Sequence, residues 1–387
     1  MGIQWGVNFF IPMVALSLGV MLPAMTEELD MTPVQGGLLG SAMFIGGAIL
    51  SLPLSVFLSR YSPKRVTCIA LFCTGLMTFI QAASPSFTIL LIARFVFVST
   101  IVSRGLAEIL LIQQWFTGKR VALVISLTIG IFSIGQVAAV GLTPLLMDLL
   151  SGWRNVYYAL GSILILGAFL CLFFSRDANK SYVDEQNTKI RKPPLDILRK
   201  RKDLWVLSAC PAGAALAWSA VMTFWPTYAL DTLSMPLNAV GTIMAMFPLG
   251  GIMGSFLAGP LSNRIHNRRI FIWLPGISLP VVYLALFTTN SPVLSALLLL
   301  VAGWNAMIWA PIIRTIPFDM NLSPREIAVV IGLGMTCIPI GGASGPIIVG
   351  LVSQLTGSLQ AGLLTVVIFP LTLFVGGLMI PETSPKN

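Results

Sequence analysis

One apolar stretch of this chain carries charge where charge is expensive. Between Phe87 and Phe116 lie Arg94, Arg104 and Glu108, and no other apolar run holds as much. At the centre of a membrane helix each such side chain costs about 2.5–3.5 kcal/mol on insertion scales. A helix bearing three needs internal pairing or a water-filled cavity. Arg104 and Glu108 are four residues apart, so on a helix they share a face and reach each other. Arg94 precedes Arg104 by close to three helical turns, which permits a single stripe. Two readings fit. In one, Arg104–Glu108 is a structural ion pair and Arg94 packs against a neighbouring helix. In the other, the stripe lines a central cavity, with Arg94 and Arg104 as substrate ligands and Glu108 as the proton-coupling group. If Glu108 neutralises Arg104, Arg94 stays uncompensated and the expected substrate is a small anion.

The later half of the chain offers an aromatic and amide surface to match. Trp304, Asn305 and Trp309 fall in one apolar run, and Trp218, Ser219, Thr223 and Trp225 in another, around Pro211 and Pro226. Trp304 and Trp309 lie too deep for an interfacial belt, so they line a substrate site together with Trp218 and Asn305, or they pack the core. Arg314, near the end of its run, reads as a snorkelling anchor. Asn8 and Gln136 are single buried amides of the kind that hydrogen-bond between helices. The one histidine, His266, sits in a loop, away from any proton path at depth.

The elements that must position these residues follow from composition. The chain is 56% hydrophobic and 10% charged, with a mean hydropathy of +0.90, far from the roughly 25% charge of soluble domains. A bilayer core takes about 20 apolar residues per helix. Such runs lie near 5–25, 34–58, 66–83, 88–114, 121–147, 154–174, then 204–228, 238–261, 270–288, 293–317, 327–352 and 360–380. The predicted fold is an all-α integral membrane protein of twelve transmembrane helices in two pseudo-symmetric six-helix bundles. Residues 1–174 form the first bundle, 175–203 a basic cytoplasmic linker and 204–387 the second bundle. The first helix, apolar almost from Trp5, is expected to be its own insertion signal.

Orientation is read from Lys and Arg. With the amino terminus cytoplasmic, 20 of the 23 lie on the inner side, Arg154 lies outside, and Arg94 and Arg104 lie within a span. Both termini are therefore expected in the cytoplasm, in a multi-pass protein of the inner membrane. The net charge of +9 is accounted for by topology, not by a nucleic-acid partner. The five cysteines (Cys68, Cys73, Cys171, Cys210, Cys337) fall in apolar runs without metal-ligand spacing, and neither metal nor cofactor is expected.

Two loops repeat. Ser55-Val56-Phe57-Leu58-Ser59-Arg60-Tyr61-Ser62-Pro63-Lys64-Arg65 is echoed by Gly259-Pro260-Leu261-Ser262-Asn263-Arg264-Ile265-His266-Asn267-Arg268-Arg269, with Arg60 and Arg65 matching Arg264 and Arg269 at an offset of 204. Arg120 and Arg325 recur at 205. Such internal symmetry is how many secondary transporters are built, with the substrate site at the repeat interface.

These loops resemble the Gly-x-x-x-Asp-Arg-x-Gly-x-Arg-Arg motif of the major facilitator superfamily. Arg94 in Leu91-Ile92-Ala93-Arg94-Phe95, Trp115-Phe116 with Arg120, and Pro381-Glu382-Thr383 resemble further family segments. The resemblance implies a gating role for Arg60, Lys64, Arg65, Asn263, Arg264, Arg268 and Arg269. Neither loop keeps the motif's acid, since Ser59 and Asn263 stand there, so hydrogen bonds are expected in place of a charged latch. The helix-5 Gly-x-x-x-Gly-Pro signature of drug antiporters is not met, because Gly130 and Gly135 are five apart and Gln136 stands at the proline position. Gly341, Gly345 and Pro346 give that string later, where close packing explains it.

The function expected is secondary active transport by alternating access, first of all a proton-coupled carrier of a small organic anion, working as a monomer in the lipid bilayer. A drug or cation exporter is the alternative, although Gly6–Met25 lacks the helix-1 acid common in such exporters. A non-transporting receptor or scaffold is the alternative of another class. No nucleotide-binding loop is present, and no catalytic constellation marks a membrane enzyme.

Overall fold

The computed structural model describes residues 2–58, 61–116, 119–174, 197–198, 201–265, 267–320, 322–380 and 382. Among them every regular element is a helix. Ten helices are long and apolar enough to cross a membrane, or eleven if the bent first pair counts as one span.

By their contacts the residues form two compact units, Met1–Met31 with Ile45–Arg191, and Thr32–Phe44 with Lys192–Asn387. The first unit opens with α1 (Gly2–Leu16) and α2 (Leu18–Glu28), which meet at a 44° bend. Sharp bends need a cause, such as a side chain entering the backbone ladder. Here the Ser17 hydroxyl turns back to the Val14 carbonyl, and Arg94 takes the carbonyls of Val14 and Ala15 at 3.2 and 2.5 Å. Then follow α3 (Pro33–Leu58), which runs through both units, α4 (Pro63–Ala83), α5 (Phe87–Trp115), α6 (Lys119–Gly141), α7 (Thr143–Leu150) and α8 (Trp153–Phe174). α1 packs on α6 and α8, and α4 packs on α5 and α8.

The second unit adds α9 (Lys202–Ala209), α10 (Pro211–Asp231), α11 (Leu237–Ile265), α12 (Ile270–Thr288), α13 (Pro292–Asp319), α14 (Pro324–Thr356), α15 (Leu359–Thr365) and α16 (Leu371–Met379). α14 shows how local sequence sets an element. Ser323 and Glu326 form a reciprocal capping box, Pro324 occupies the first turn, and Gly357 at φ 70° ends the helix in a left-handed cap. Small residues let backbones touch. A methyl at Gly303 would strike the Phe247 carbonyl, and one at Gly345 the Leu216 carbonyl. These contacts seat α13 on α11 and α14 on α10, the close packing expected of the Gly341–Gly345–Pro346 string.

Two membrane-specific rules are visible. Buried hydroxyls find acceptors in their own helix, as when Thr74 bonds Ala70 and Ser103 bonds Ser99. The outer faces are apolar, with Leu149, Phe173, Val293 and Leu355 mostly exposed, which suits a surface solvated by lipid tails.

The twelfth predicted run departs from a simple span. Residues 360–380 form two short helices, α15 and α16. From the end of α15 into the first turn of α16, Val366, Val367, Phe369, Leu371 and Thr372 bond three residues back, not four. Pro370 supplies no N–H and crowds the preceding turn. Most of the predicted linker, 175–196 and 199–200, lies outside the described residues. Its end is anchored: Arg201 pairs with Asp203 at 2.5 Å and donates to the Met320 carbonyl at 3.3 Å.

Candidate functional site

Arg104 and Glu108 sit on the uninterrupted helix α5, which holds no proline. Both are buried, 3% and 6% exposed, and their side chains meet at 3.2 Å. They are not alone. α1 presents Gln4 and Asn8, also four apart and also buried, so two i, i+4 pairs on different helices interlock. One terminal nitrogen of Arg104 donates to Gln4 Oε1 at 3.0 Å. The other donates to Asn8 Oδ1 and to Glu108 Oε2. Asn8 Nδ2 in turn donates to Glu108 Oε1 at 2.6 Å. A single amide thus bridges the cation and the anion, its acceptor end on one and its donor end on the other.

Behind this cluster Gln4 Nε2 donates to Cys171 Sγ of α8 at 3.4 Å, and Cys68 of α4 lies 3.2 Å from Cys171. Arg104 Nε has no acceptor among the described residues. Since a buried charge is tolerated only when paired and hydrogen-bonded, the two amides are what allow the ion pair to sit at depth.

Arg94 occupies a different place. Its terminal nitrogens hold the Val14 and Ala15 carbonyls in the last turn of α1, and its guanidinium lies over the Phe97 ring, 5.9 Å from the centroid. No carboxylate among the described residues pairs with it. The three charges of α5 therefore divide into a helix-break clamp and an amide-bridged ion pair.

In the second unit Trp218 stacks on Phe247 at 6.2 Å and meets Phe44 edge-on at 6.3 Å. Asn305 accepts from Ser278 at 2.9 Å and donates to the Val301 carbonyl, tying α13 to α12. Trp304 is half-buried. Trp309 is buried, as is Trp225, and neither indole N–H has an acceptor among the described residues. Arg314 is exposed.

Of the predicted gating residues, Arg60 and the side chain of Asn263 lie outside the described residues. Lys64 is half-buried, and Arg65 and Arg264 are exposed. Arg268 pairs with Asp319 at the end of α13, so an acid does meet this loop, supplied from elsewhere in the chain. Arg269 donates to the carbonyls of Gly377 and Leu378, while Glu382 accepts the backbone N–H groups of Arg268 and Arg269. Sequence reasoning also missed Glu28, which accepts from Arg154 and Trp153 at 2.6 Å each.

The chain matches the family model of the Major Facilitator Superfamily over residues 5–236 and 207–387. The probable sulfoacetate transporter SauU of Cupriavidus necator is 21% identical, covering 89% of this chain and 84% of that protein. A probable nitrate/nitrite antiporter of Thermus thermophilus is 23% identical, covering 68% and 61%. In fold, a bacterial homologue of the human lysosomal transporter Spinster, solved inward-facing and unoccupied, superposes with a TM-score of 0.79 at 16% identity, covering 98% and 93%. The nucleoside transporter NupG superposes with a TM-score of 0.77 at 16% identity, covering 98% and 99%. The chain belongs to the Major Facilitator Superfamily, and it is a multi-pass membrane transporter, not an enzyme.

Proposed function

We propose that this transporter carries a small organic anion together with a proton by alternating access, with Arg104 holding the anion and Glu108 the proton. The observation that carries the reading is the buried Arg104–Glu108 pair bridged by Asn8. As it stands the pair is neutral. An arriving monoanion would leave one uncompensated negative charge in a low-dielectric site, and a proton on Glu108 restores neutrality. Anion and proton therefore favour each other's binding, which is the thermodynamic core of symport. The named substrates of similar proteins, sulfoacetate (organic) and nitrate or nitrite (inorganic), are all anions and support an anionic substrate.

Arg94, held on backbone carbonyls, contributes positive potential and not direct contact in this reading. Within the second unit, Trp309 is a buried donor without an acceptor among the described residues and is the first candidate there for a substrate contact, with Trp218, Trp304 and Asn305 as the others. The protein works as a monomer in the inner membrane with both termini cytoplasmic, an orientation supported by the Lys and Arg distribution.

The test is uptake of sulfoacetate and of nitrate into proteoliposomes with and without an imposed pH gradient. Accumulation should follow the gradient in the native protein, and Glu108→Gln should permit exchange while losing gradient-driven accumulation. Gradient-driven accumulation by Glu108→Gln equal to the native protein's would sink the proposal.

A further inference from the structure

We infer that Asn8 of α1 is the residue that couples the proton to the anion, by occupying Arg104 when Glu108 is ionised and leaving it when Glu108 is protonated. The inference rests on the reading of Arg104 and Glu108 as anion and proton sites.

Asn8 is 1% exposed and both ends of its amide are committed. Nδ2 donates to Glu108 Oε1 at 2.6 Å, and Oδ1 accepts from Arg104. The charges fix this orientation. A flipped amide would set a donor against the guanidinium and an acceptor against the carboxylate. While Glu108 is ionised, Oδ1 therefore fills one of the terminal-nitrogen positions that a carboxylate or sulfonate ligand gripping Arg104 with two oxygens would use, Nε being the position left open. Gln4 Oε1 holds the other terminal nitrogen and makes no bond to Glu108, so Gln4 does not sense the proton.

Protonation removes the carboxylate's half of the reason for that orientation, and an arriving anion on Arg104 replaces the other half. A carboxylic acid is itself an O–H donor, and the group that best accepts from it here is Asn8 Oδ1. The amide then turns toward Glu108, and the nitrogen of Arg104 that it held becomes available to the ligand. The same turn run backwards expels the anion when the proton leaves.

The surroundings suit a two-state element. The titratable neighbours among the described residues are Arg104 on the same helix, Cys171 on α8 and Cys68 on α4. α1 carries no ionisable side chain, and neither does α3 from Ile45 to Leu58. α6 carries only Lys119 and Arg120, in its first turn. Among the described residues of this unit no second carboxylate bonds to the cluster.

The experiment measures the Kd of methanesulfonate and of acetate by tryptophan fluorescence on the purified full-length protein across pH. In the native protein affinity should fall about tenfold per pH unit where Glu108 is mostly ionised, the slope of one proton linked to one anion. Asn8→Ala keeps the direct Arg104–Glu108 contact but loses the amide that occupies Arg104, so its slope should flatten to under about threefold per unit. Asn8→Asp, isosteric, places a fixed anion on Arg104 and should raise Kd at least about tenfold; it decides the matter if Asn8→Ala does not fold. A steep native slope that Asn8→Ala retains, or an Asn8→Asp Kd within twofold of native, overturns the role of Asn8 alone. A flat native profile, or no binding of either anion, overturns the underlying proton–anion reading and this inference with it.

Discussion

Replacing Arg104 and Glu108 by leucine, singly and together, tests whether the pair is coupled as its geometry requires. At 3.2 Å and an effective dielectric near 20, their Coulomb attraction is about 5 kcal/mol. Removing one partner of a buried pair costs about 3–5 kcal/mol, because the survivor is left charged and unpaired. Arg104→Leu strands the Glu108 carboxylate with only Asn8 as donor, and leaves Gln4 Oε1 and Asn8 Oδ1 without theirs. Glu108→Leu strands the guanidinium with two neutral acceptors. The double substitution removes both charges, and well-packed apolar replacements of buried pairs are often neutral. At roughly 2–4 °C per kcal/mol for a unit of 150–250 residues, each single variant should melt about 6–20 °C below native. The double variant should lose less than the worse single variant. The assay is a thermal melt of detergent-solubilised protein at one fixed scan rate, read by size-exclusion chromatography. Losses that simply add in the double variant would refute the coupling.

Further outcomes are expected. Arg94→Ala removes two charge-assisted hydrogen bonds worth about 1.5–3 kcal/mol each and should lower the melting temperature with or without anion present, whereas Arg94→Lys recovers part of the loss; native-like melting with lost anion binding would instead make Arg94 a ligand. Gly303→Val drives a side chain into the Phe247 carbonyl and should destabilise by about 1–3 kcal/mol or more, seen as a lower yield of monodisperse protein. For orientation, cysteine at Asp30 should react with an impermeant reagent from outside intact cells and cysteine at Ser181 should not, and the reverse pattern would invert the topology.

Apolar length made the spans legible, because a bilayer demands it whatever the tertiary contacts. Interruptions within spans were not. The bend at Ser17 depends on a guanidinium reaching from Arg94, almost eighty residues away, and hydropathy is blind to it. The break at 366–370 depends on a missing N–H at Pro370, in a run whose apolarity is continuous. Within the site, i, i+4 spacing brought Arg104 and Glu108 onto one face, and Asn8 stood out as an amide in an apolar run. Gln4 did not, since it precedes Trp5, from which the run was counted. Its spacing of four from Asn8 was the available signal. The acid facing Arg268 was sought at the motif position and is supplied instead by Asp319, 51 residues on, a pairing that only the folded chain reveals.

Cutting the chain within 175–196 would not divide it into its two compact units. The stretch Thr32–Phe44 belongs by contact with the later residues. There the Ser41 hydroxyl donates to the Ala343 carbonyl at 2.5 Å, and Gly37 and Gly40 lie so close to Pro346 and Thr223 that neither has room for a methyl group. A fragment starting at Lys192 would keep all of its own sequence and still lack a strap, leaving a face of small residues and an open carbonyl bare to lipid or detergent. Two such fragments should therefore behave as complementing partners, the first supplying the segment that the second cannot encode. For the same reason, a chimera joined at the linker would inherit α3 from one parent and its seat on α10 and α14 from the other.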